Sequence, residues 1–132
     1  MENLVSFYYL GEHRPVRYLQ TEKVKSGVFC DVYEFTGQNA YDLAVVRVAP
    51  NHSTPVQRIE LEGSKTVEGI LDGYGSFFAA GASRTSLTFG TPKVHTLSSG
   101  DIMQWEAGDD GLTFFEICHP PYEDGRFTNL TD

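Results

Sequence analysis

The sequence predicts an all-β fold, because its apolar residues occur in short stretches separated by turn-forming residues. These stretches are rich in valine, phenylalanine, tyrosine, isoleucine and threonine, which favour strands. No window shows a sustained apolar stripe with a period of 3.6 residues, so we expect little or no helix. Many short strands at regular spacing are typical of an antiparallel sandwich or barrel.

Nine stretches meet these criteria and are predicted to be strands. In chain order they are residues 16–20, 28–35, 43–49, 66–71, 75–79, 84–89, 93–97, 101–105 and 112–118. The segments PNHSTP, LDGYG, AAGAS, FGTP, SSGD and EAGDDG separate most of them and have the composition of turns. Gly73 and Gly75 flank Tyr74 and are predicted to form a tight turn, where glycine tolerates a positive φ. Pro120 and Pro121 lack an N–H donor and are predicted to end the last strand.

The 132 residues are most simply one domain, 1–132, with a barrel core at about residues 28–120. A chain of this length can bury a substantial core without disulfide bonds. Its two cysteines, Cys30 and Cys118, form no CxxC motif. The N-terminal MENLVSFYYLGEHR has neither the basic start nor the long apolar core of a signal peptide. We therefore interpret the cysteines as reduced, buried thiols in a cytoplasmic protein.

Charge and apolar pattern also predict the partners. The formal charge of −8 repels a phosphate backbone, and no run of lysine or arginine offsets it, so we expect no nucleic acid. No apolar stretch approaches membrane-spanning length, so we expect no membrane. The stretches LAVVRVA at 43–49 and LTFFEIC at 112–118 are apolar on both faces. Such strands need a second cover, from another sheet or another subunit, and we predict a homodimer.

Two glycine-containing segments match the motifs of a known family. In ILDGYGSFF (70–78) the matching residues are Leu71, Gly73 and Gly75. In LSSGDIMQWEAG (97–108) they are Gly100, Asp101, Ala107 and Gly108, with Glu106 in place of a proline. Across about residues 43–127 the chain therefore resembles a small single-domain cupin of the RmlC-like superfamily. The resemblance implies a jelly-roll barrel, also called a double-stranded β-helix, with a ligand site inside.

The resemblance does not extend to the metal ligands of cupins. Metal-binding members supply an H-x-H pair and a glutamate from the first motif and a further histidine from the second. Here the corresponding positions fall on Glu60 and Glu62, or on Pro55 and Gln57 with a longer hairpin, and on Thr66 and Gly111. The four histidines, His13, His52, His95 and His119, include no pair at ligand spacing. We therefore expect no transition metal and no other cofactor.

Five residues are candidates for a site that binds a small polar molecule: Glu68, Gln57, His52, Tyr74 and Glu116. Glu68 and Glu116 are carboxylates within apolar stretches, and charged side chains are seldom buried without a partner or a task. By parity Glu68 shares a face with Thr66, which the resemblance places toward the barrel interior. An outward Glu68 paired with Arg47 or Arg58 explains the pattern equally well. For Glu116, parity leaves the face open.

The other three candidates have plainer alternatives. The amide of Gln57 suits a polar ligand, but the residue also fits an ordinary surface strand. His52, in the loop NHSTP, is either a pocket residue or a solvated turn histidine. Tyr74 either stacks on a ligand or caps the core.

Cys118 and His119 are adjacent in sequence and invite comparison with a catalytic pair. Neighbours in a strand point to opposite faces, so the two side chains are poorly placed to bond to each other. Catalytic Cys–His pairs are normally brought together by the fold. Cys118 is therefore predicted to be a small buried hydrophobe.

Three functions are compatible with the sequence. The first is a cupin that binds a small polar molecule without a transition metal. The second is a metal-independent isomerase, epimerase or lyase that uses carboxylate, histidine and tyrosine groups of the barrel. The third is a structural or interaction protein whose barrel is filled by side chains.

Overall fold

The computed structural model describes residues 3–80 and 94–131, which form strands connected by turns. The strands are β1 (Ser6–Tyr9), β2 (Glu12–Lys25), β3 (Val28–Phe35), β4 (Asp42–Val48), β5 (Gln57–Ile59), β6 (Lys65–Ala80), β7 (Val94–Ser98), β8 (Ile102–His119) and β9 (Phe127–Asn129). All pairings between these strands are antiparallel. The described residues contain no helix long and apolar enough to cross a membrane. The all-β prediction is confirmed.

The predicted strands agree with the observed ones over most of the chain. The stretch 28–35 coincides with β3, and 43–49 and 93–97 differ from β4 and β7 by one residue at each end. The short strands β1, β5 and β9, of three or four residues each, were not predicted. The predicted strand 84–89 lies outside the described residues.

Two long strands, β6 and β8, pair along almost their whole length and belong to both layers of the barrel. Residues 65–70 of β6 pair with 114–119 of β8, which also borders β4. Residues 75–80 of β6 pair with 102–107 of β8, whose first residues also border β5. One layer therefore runs β2-β3-β4-β8-β6-β7, and the other is built from β9, β5 and the remaining halves of β8 and β6.

The prediction of a tight turn at Gly73-Tyr74-Gly75 is wrong. The chain continues as one strand there, with register shifts between Ile70 and Asp72 and between Gly73 and Gly75. Gly73 has a φ of +76°, and a Cβ atom on it would lie 2.3 Å from the carbonyl oxygen of Gly111. A Cβ on Gly75 would lie 2.1 Å from the carbonyl oxygen of Glu106. The glycines therefore permit close backbone approach in bulged, bent strands rather than a chain reversal.

The apolar residues form two clusters, one inside the barrel and one on its outer face. The inner cluster is Val28, Val46, Val48, Ile59, Phe77, Ala79, Leu97, Met103, Trp105, Leu112 and Phe114. The outer cluster is Val16, Tyr33, Phe35, Tyr41, Leu43, Val45, Val67, Phe115 and Ile117. Strands β4 and β8 contribute to both clusters, which explains why their sequences are apolar on both faces.

The chain's own N-terminal segment covers the outer cluster. Leu4, Phe7 and Tyr9 pack against it, and the rings of Phe7 and Phe115 have centroids 5.2 Å apart. The pattern that led us to predict a second subunit is therefore accounted for within one chain. The homodimer itself stays a prediction.

Replacing Gly73 with alanine tests the close approach of β6 to β8. The added Cβ meets the Gly111 carbonyl and the residue must keep a positive φ, so Gly73→Ala should lower the free energy of unfolding by about 2–4 kcal/mol. Gly37 has a φ of +85° but open space around it, so Gly37→Ala should cost only about 1–2 kcal/mol. Urea denaturation measures both losses. Equal losses would show that the backbone contact at Gly73 is unimportant.

Candidate functional site

A stack of aromatic rings fills one part of the barrel interior. The rings of Trp105 and Phe114 are stacked with centroids 4.7 Å apart, and Phe77 lies 4.6 Å from Trp105. On the other side of Phe77 the ring of His95 is stacked at 4.3 Å. Since Trp105 and Phe77 are each 1% exposed, this part of the barrel has no room for a ligand.

Glu68 is anchored to this aromatic stack by a hydrogen bond between the two layers. The indole Nε1–H of Trp105 donates to Oε1 of Glu68 at 2.6 Å. Glu68 is 0% exposed, and its other oxygen, Oε2, makes no hydrogen bond to any described residue. A buried carboxyl with one unsatisfied oxygen is costly to ionise.

The remainder of the interior is a cavity of about 440 Å³. Its apolar wall includes Val28, Val46, Phe114 and Phe127, from four different strands. Its polar lining is Glu22, Lys23, Asp42, Thr54, Gln57, Glu116, Tyr122 and Asn129, together with the thiols of Cys30 and Cys118. Apolar walls with a few convergent polar groups are typical of small-molecule sites.

Two carboxylates from neighbouring strands lie on one side of the cavity. Asp42 begins β4, and Glu116 lies in β8 opposite Ala44, two residues further along β4. Such diagonal neighbours share a face of the sheet about 7 Å apart. In the described part of the chain, neither residue takes part in an ion pair; the pairs are Arg14–Glu12, Arg17–Glu34, Arg47–Asp31 and Arg58–Glu60. The cavity therefore presents net negative charge to a ligand.

Asp42 is shifted toward neutral pH by its position. Burial, with repulsion from Glu116, raises the pKa of Asp42 to about 6. The backbone N–H of Tyr122, which donates to Oδ2 at 2.9 Å, and the charge of Arg126 oppose the rise in its pKa. A carboxyl group poised near 6 can take up or release a proton at physiological pH.

Glu68 lies directly behind Glu116. The two residues face each other in register across β6 and β8. Burial, followed by the adjacent Glu116 carboxylate, holds the pKa of Glu68 well above its usual range, while the Trp105 indole opposes this rise. The prediction that Glu68 faces the barrel interior agrees with its position, but it supports the wall and does not itself line the cavity.

Both thiols line the cavity in their protonated form. Burial and surrounding carboxylates raise the pKa of Cys30 to about 12, and burial with repulsion from Glu116 raises the pKa of Cys118 further. A reactive cysteine needs the opposite environment, one that stabilises the thiolate. The cysteines are therefore cavity wall, as the sequence predicts for Cys118.

His119 points away from Cys118, to the outer face. Its Nε2 lies 2.6 Å from the hydroxyl of Tyr9, and its ring is 4.9 Å from that of Tyr41. Burial and the charges of Lys65 and Arg126 lower the pKa of His119. The expectation that Cys118 and His119 lie on opposite faces agrees with this arrangement.

Of the remaining candidates, Gln57 lines the cavity, whereas His52 and Tyr74 do not. The Gln57 amide donates to Oδ1 of Asn129 at 2.9 Å, so β5 and β9 present two amides together. His52 is exposed, with Nδ1 2.8 Å from the carbonyl oxygen of Pro50 and its ring against Gly27. The Tyr74 ring packs on Gly108, and its hydroxyl accepts the N–H of Asp109. Both are corrections to the predicted site, because a bulged strand and a tight loop turn these side chains outward.

Sequence reasoning did not select Asp42, Tyr122 or Asn129, which also line the cavity. Asp42 stands at the first position of its strand, where a carboxylate is also an ordinary turn residue. Tyr122 and Asn129 follow the double proline, and the return of this tail along β5 is a non-local pairing. The segment PPYED is a weak signal for Tyr122, because it places an aromatic residue directly after the prolines that follow β8, at the end of the barrel.

Arg126 has a structural task rather than the ligand-binding one its charge suggests. It is 1% exposed, and its guanidinium donates to the carbonyl oxygens of Pro120 and Lys65, each at 2.9 Å, and to Oγ1 of Thr66 at 3.2 Å. It thereby ties the C-terminal tail to the start of β6.

The residues do not fit the metal centre that metal-binding cupins contain. No histidine lines the cavity, and no three histidine, cysteine or acidic side chains among residues 3–80 and 94–131 are placed to hold a metal ion. The two cavity thiols have no histidine beside them with which to complete a site for a soft metal.

Comparison with solved structures identifies the architecture. A cupin-2 domain protein from Rhodospirillum rubrum superposes with a TM-score of 0.67 at 19% identity, covering 89% of this chain and 76% of that one. The fold is that of the small cupins. KdgF from Halomonas sp. gives 0.64 at 9% identity, with 80% and 92% covered. A Streptomyces PAC13 variant with uridine gives 0.60 at 13% identity, with 86% and 83% covered. A scan against models of protein families finds no match, and neither does a search of curated proteins.

The raised pKa of Asp42 predicts a pH-dependent effect of its removal. A folded pKa above the unfolded value means that its contribution to stability is fully present below about pH 4 and is lost as pH rises through 6. Asp42→Asn should therefore be more stable than the wild type at about pH 8, by about 1–2 kcal/mol after allowance for partial solvent access. Urea denaturation at the two pH values measures this. If Asp42→Asn raises the free energy of unfolding by the same amount at pH 4 as at pH 8, ionisation of Asp42 is not the cause.

Proposed function

We propose that this chain binds a small polar molecule in the cupin cavity, without a transition metal. The observation that carries the proposal is a pair of carboxylates, Asp42 and Glu116, in the wall of a cavity of about 440 Å³. Among the described residues, neither carboxylate is neutralised by an ion pair. Such carboxylates gain further, charge-assisted hydrogen bonds when a ligand donates to them.

The lining selects for a ligand that donates hydrogen bonds. Asp42 and Glu116 accept them, the amides of Gln57 and Asn129 orient the ligand, and Phe114 and Phe127 offer apolar surface. An anionic ligand meets repulsion from the two carboxylates, whereas a hydroxyl-rich or amine-bearing molecule does not. PAC13, which shares the fold, was solved with uridine, a neutral hydroxyl-bearing molecule. Uridine is therefore a reasonable first probe.

The second candidate is a metal-independent isomerase, epimerase or lyase. Two observations favour it: Asp42 has a pKa of about 6, and Glu68 stands behind Glu116 with a raised pKa. Groups in such environments act as acids and bases near neutral pH. Of the groups first considered for this chemistry, His52 and Tyr74 lie outside the cavity, Glu116 and Glu68 are retained, and Asp42 is added. Tyr122 supplies a cavity tyrosine.

Several expectations from the sequence accompany this proposal as predictions. They are a homodimer, a cytoplasmic location and the absence of nucleic acid and membrane partners. Sedimentation at micromolar concentration measures the first of them.

Binding is tested by calorimetric titration with uridine and with a matched set of glucosamine, glucose and glucuronate, which differ in charge at similar size. We expect the neutral or amine-bearing members to bind and glucuronate not to. Glu116→Gln should weaken that binding by about 10- to 100-fold, because a hydrogen bond to a charged group contributes about 1.5–3 kcal/mol.

The exposed Glu62 provides the control, since Glu62→Gln removes a carboxylate that lies outside the cavity and should leave affinity unchanged. A preference for glucuronate, or equal affinity of wild type and Glu116→Gln, would contradict the proposed role of the carboxylates.

A further inference from the structure

Three titratable side chains lie in one row across three adjacent strands. Glu116 of β8 faces Glu68 of β6, and Glu68 in turn faces His95 of β7. Directly opposed residues in antiparallel strands project to the same side of the sheet, with Cβ atoms about 5 Å apart. Within the described residues β7 pairs with β6 alone, so the row runs from the cavity wall to a strand at the sheet edge.

The three members of the row have different access to solvent. Glu116 lines the cavity, Glu68 is 0% exposed, and His95 is half-buried against Phe77. No lysine or arginine among the described residues forms an ion pair with either glutamate. Two opposed carboxylates without a cation repel each other, and the more buried one is the more costly to ionise.

We propose that Glu68 is a neutral carboxylic acid at neutral pH and passes its proton to the Glu116 carboxylate. Glu116 is then the acid–base group of the cavity, and Glu68 is the positioning residue behind it. This rests on the second candidate function. Glu68 loses one proton and becomes a carboxylate, and Glu116 gains that proton and becomes the acid that faces the ligand. When Glu116 donates it to a ligand, the pair has lost one proton in total.

The surroundings of Glu68 suit such an exchange. Its Oε1 accepts the Trp105 indole N–H at 2.6 Å, and this bond strengthens when Glu68 becomes charged. The indole thereby limits the cost of the transient carboxylate. His95 lies directly opposite Glu68 in β7, on the side away from the cavity, with its ring stacked on Phe77.

The other charged and titratable groups around the pair do not replace these partners. Arg126 donates to carbonyl oxygens and to Thr66. Asp42 adds a further negative charge near Glu116 and favours retention of the proton. Among the described residues, the other groups near the pair include Cys30 of β3, Cys118 of β8 and Tyr122, all of them acids that stay neutral with raised pKa values. Glu22 and Lys23 also line the cavity, with opposite charges.

The first test is infrared spectroscopy of the protein at neutral pH, which separates the C=O band of a protonated carboxylic acid from the bands of carboxylates. The difference spectrum between wild type and Glu68→Gln should show the loss of one protonated carboxylic acid. Glu62 is exposed and lies outside the barrel interior, so Glu62→Gln serves as the control and should show no such loss. If wild type and Glu68→Gln give the same absorption in this region, the proposal is wrong.

The second test uses Trp105, the single tryptophan of the chain, as a reporter. Its indole N–H gives one cross-peak in a proton–nitrogen NMR spectrum, and its position should follow the ionisation of Glu68. Glu116→Gln removes the opposed charge, so the midpoint of this titration should move down by about one pH unit or more. An unchanged midpoint would overturn the coupling, and this result stands even where Glu68→Gln does not fold.

Both tests are made without a ligand, so they are independent of the binding titrations. If Glu68→Gln loses the band of the protonated acid but no ligand binds, the inference about the pair of Glu68 and Glu116 stands and the proposed function is wrong. If a ligand binds but the band is unchanged in Glu68→Gln, the inference about the pair is wrong and the protein is a binding protein.

Discussion

The hydrogen bond between Trp105 and Glu68 is the constraint on which the interior of this barrel depends. It joins the two layers through groups that are 1% and 0% exposed, and it fixes the indole in the aromatic stack with Phe77 and Phe114. Because a buried indole N–H and a buried carboxyl each need a partner, loss of either leaves the other unsatisfied. The bond therefore decides which part of the barrel is filled and which part stays open.

The acidic character of the cavity follows from this division. Trp105 occupies one oxygen of Glu68, so the carboxyl stays inside the wall and Glu116 is the carboxylate that reaches the open part of the barrel. Asp42 adds a second carboxylate from β4, and neither carboxylate forms an ion pair with an arginine among the described residues. Arg126, whose charge also acts on Asp42, is engaged with backbone carbonyls in holding the C-terminal tail.

Local pattern predicted the features that depend on alternation along one strand. The interior face of Glu68, the opposite faces of Cys118 and His119 and the apolar character of β4 on both sides all follow from a period of two. Features set by bulges or by non-local pairing were not predicted. Gly73 permits close backbone approach rather than a turn, Tyr74 points outward next to it, and His95 joins Glu68 only because β7 returns beside β6. Parity cannot be carried across a bulge, and pairing between distant strands has no local signature.

The most direct measurement of the central claim is the hydrogen-exchange rate of the Trp105 indole N–H. If the proton is buried and bonded to Glu68, exchange requires opening of the barrel, so it should be as slow as that of the best-protected backbone amides of β6 and β8. Denaturant should accelerate the indole and those amides together. Rapid exchange of the indole under conditions where the amides of β6 and β8 remain protected would show that Trp105 does not hold the two layers together through Glu68, and the account of the cavity would then fail.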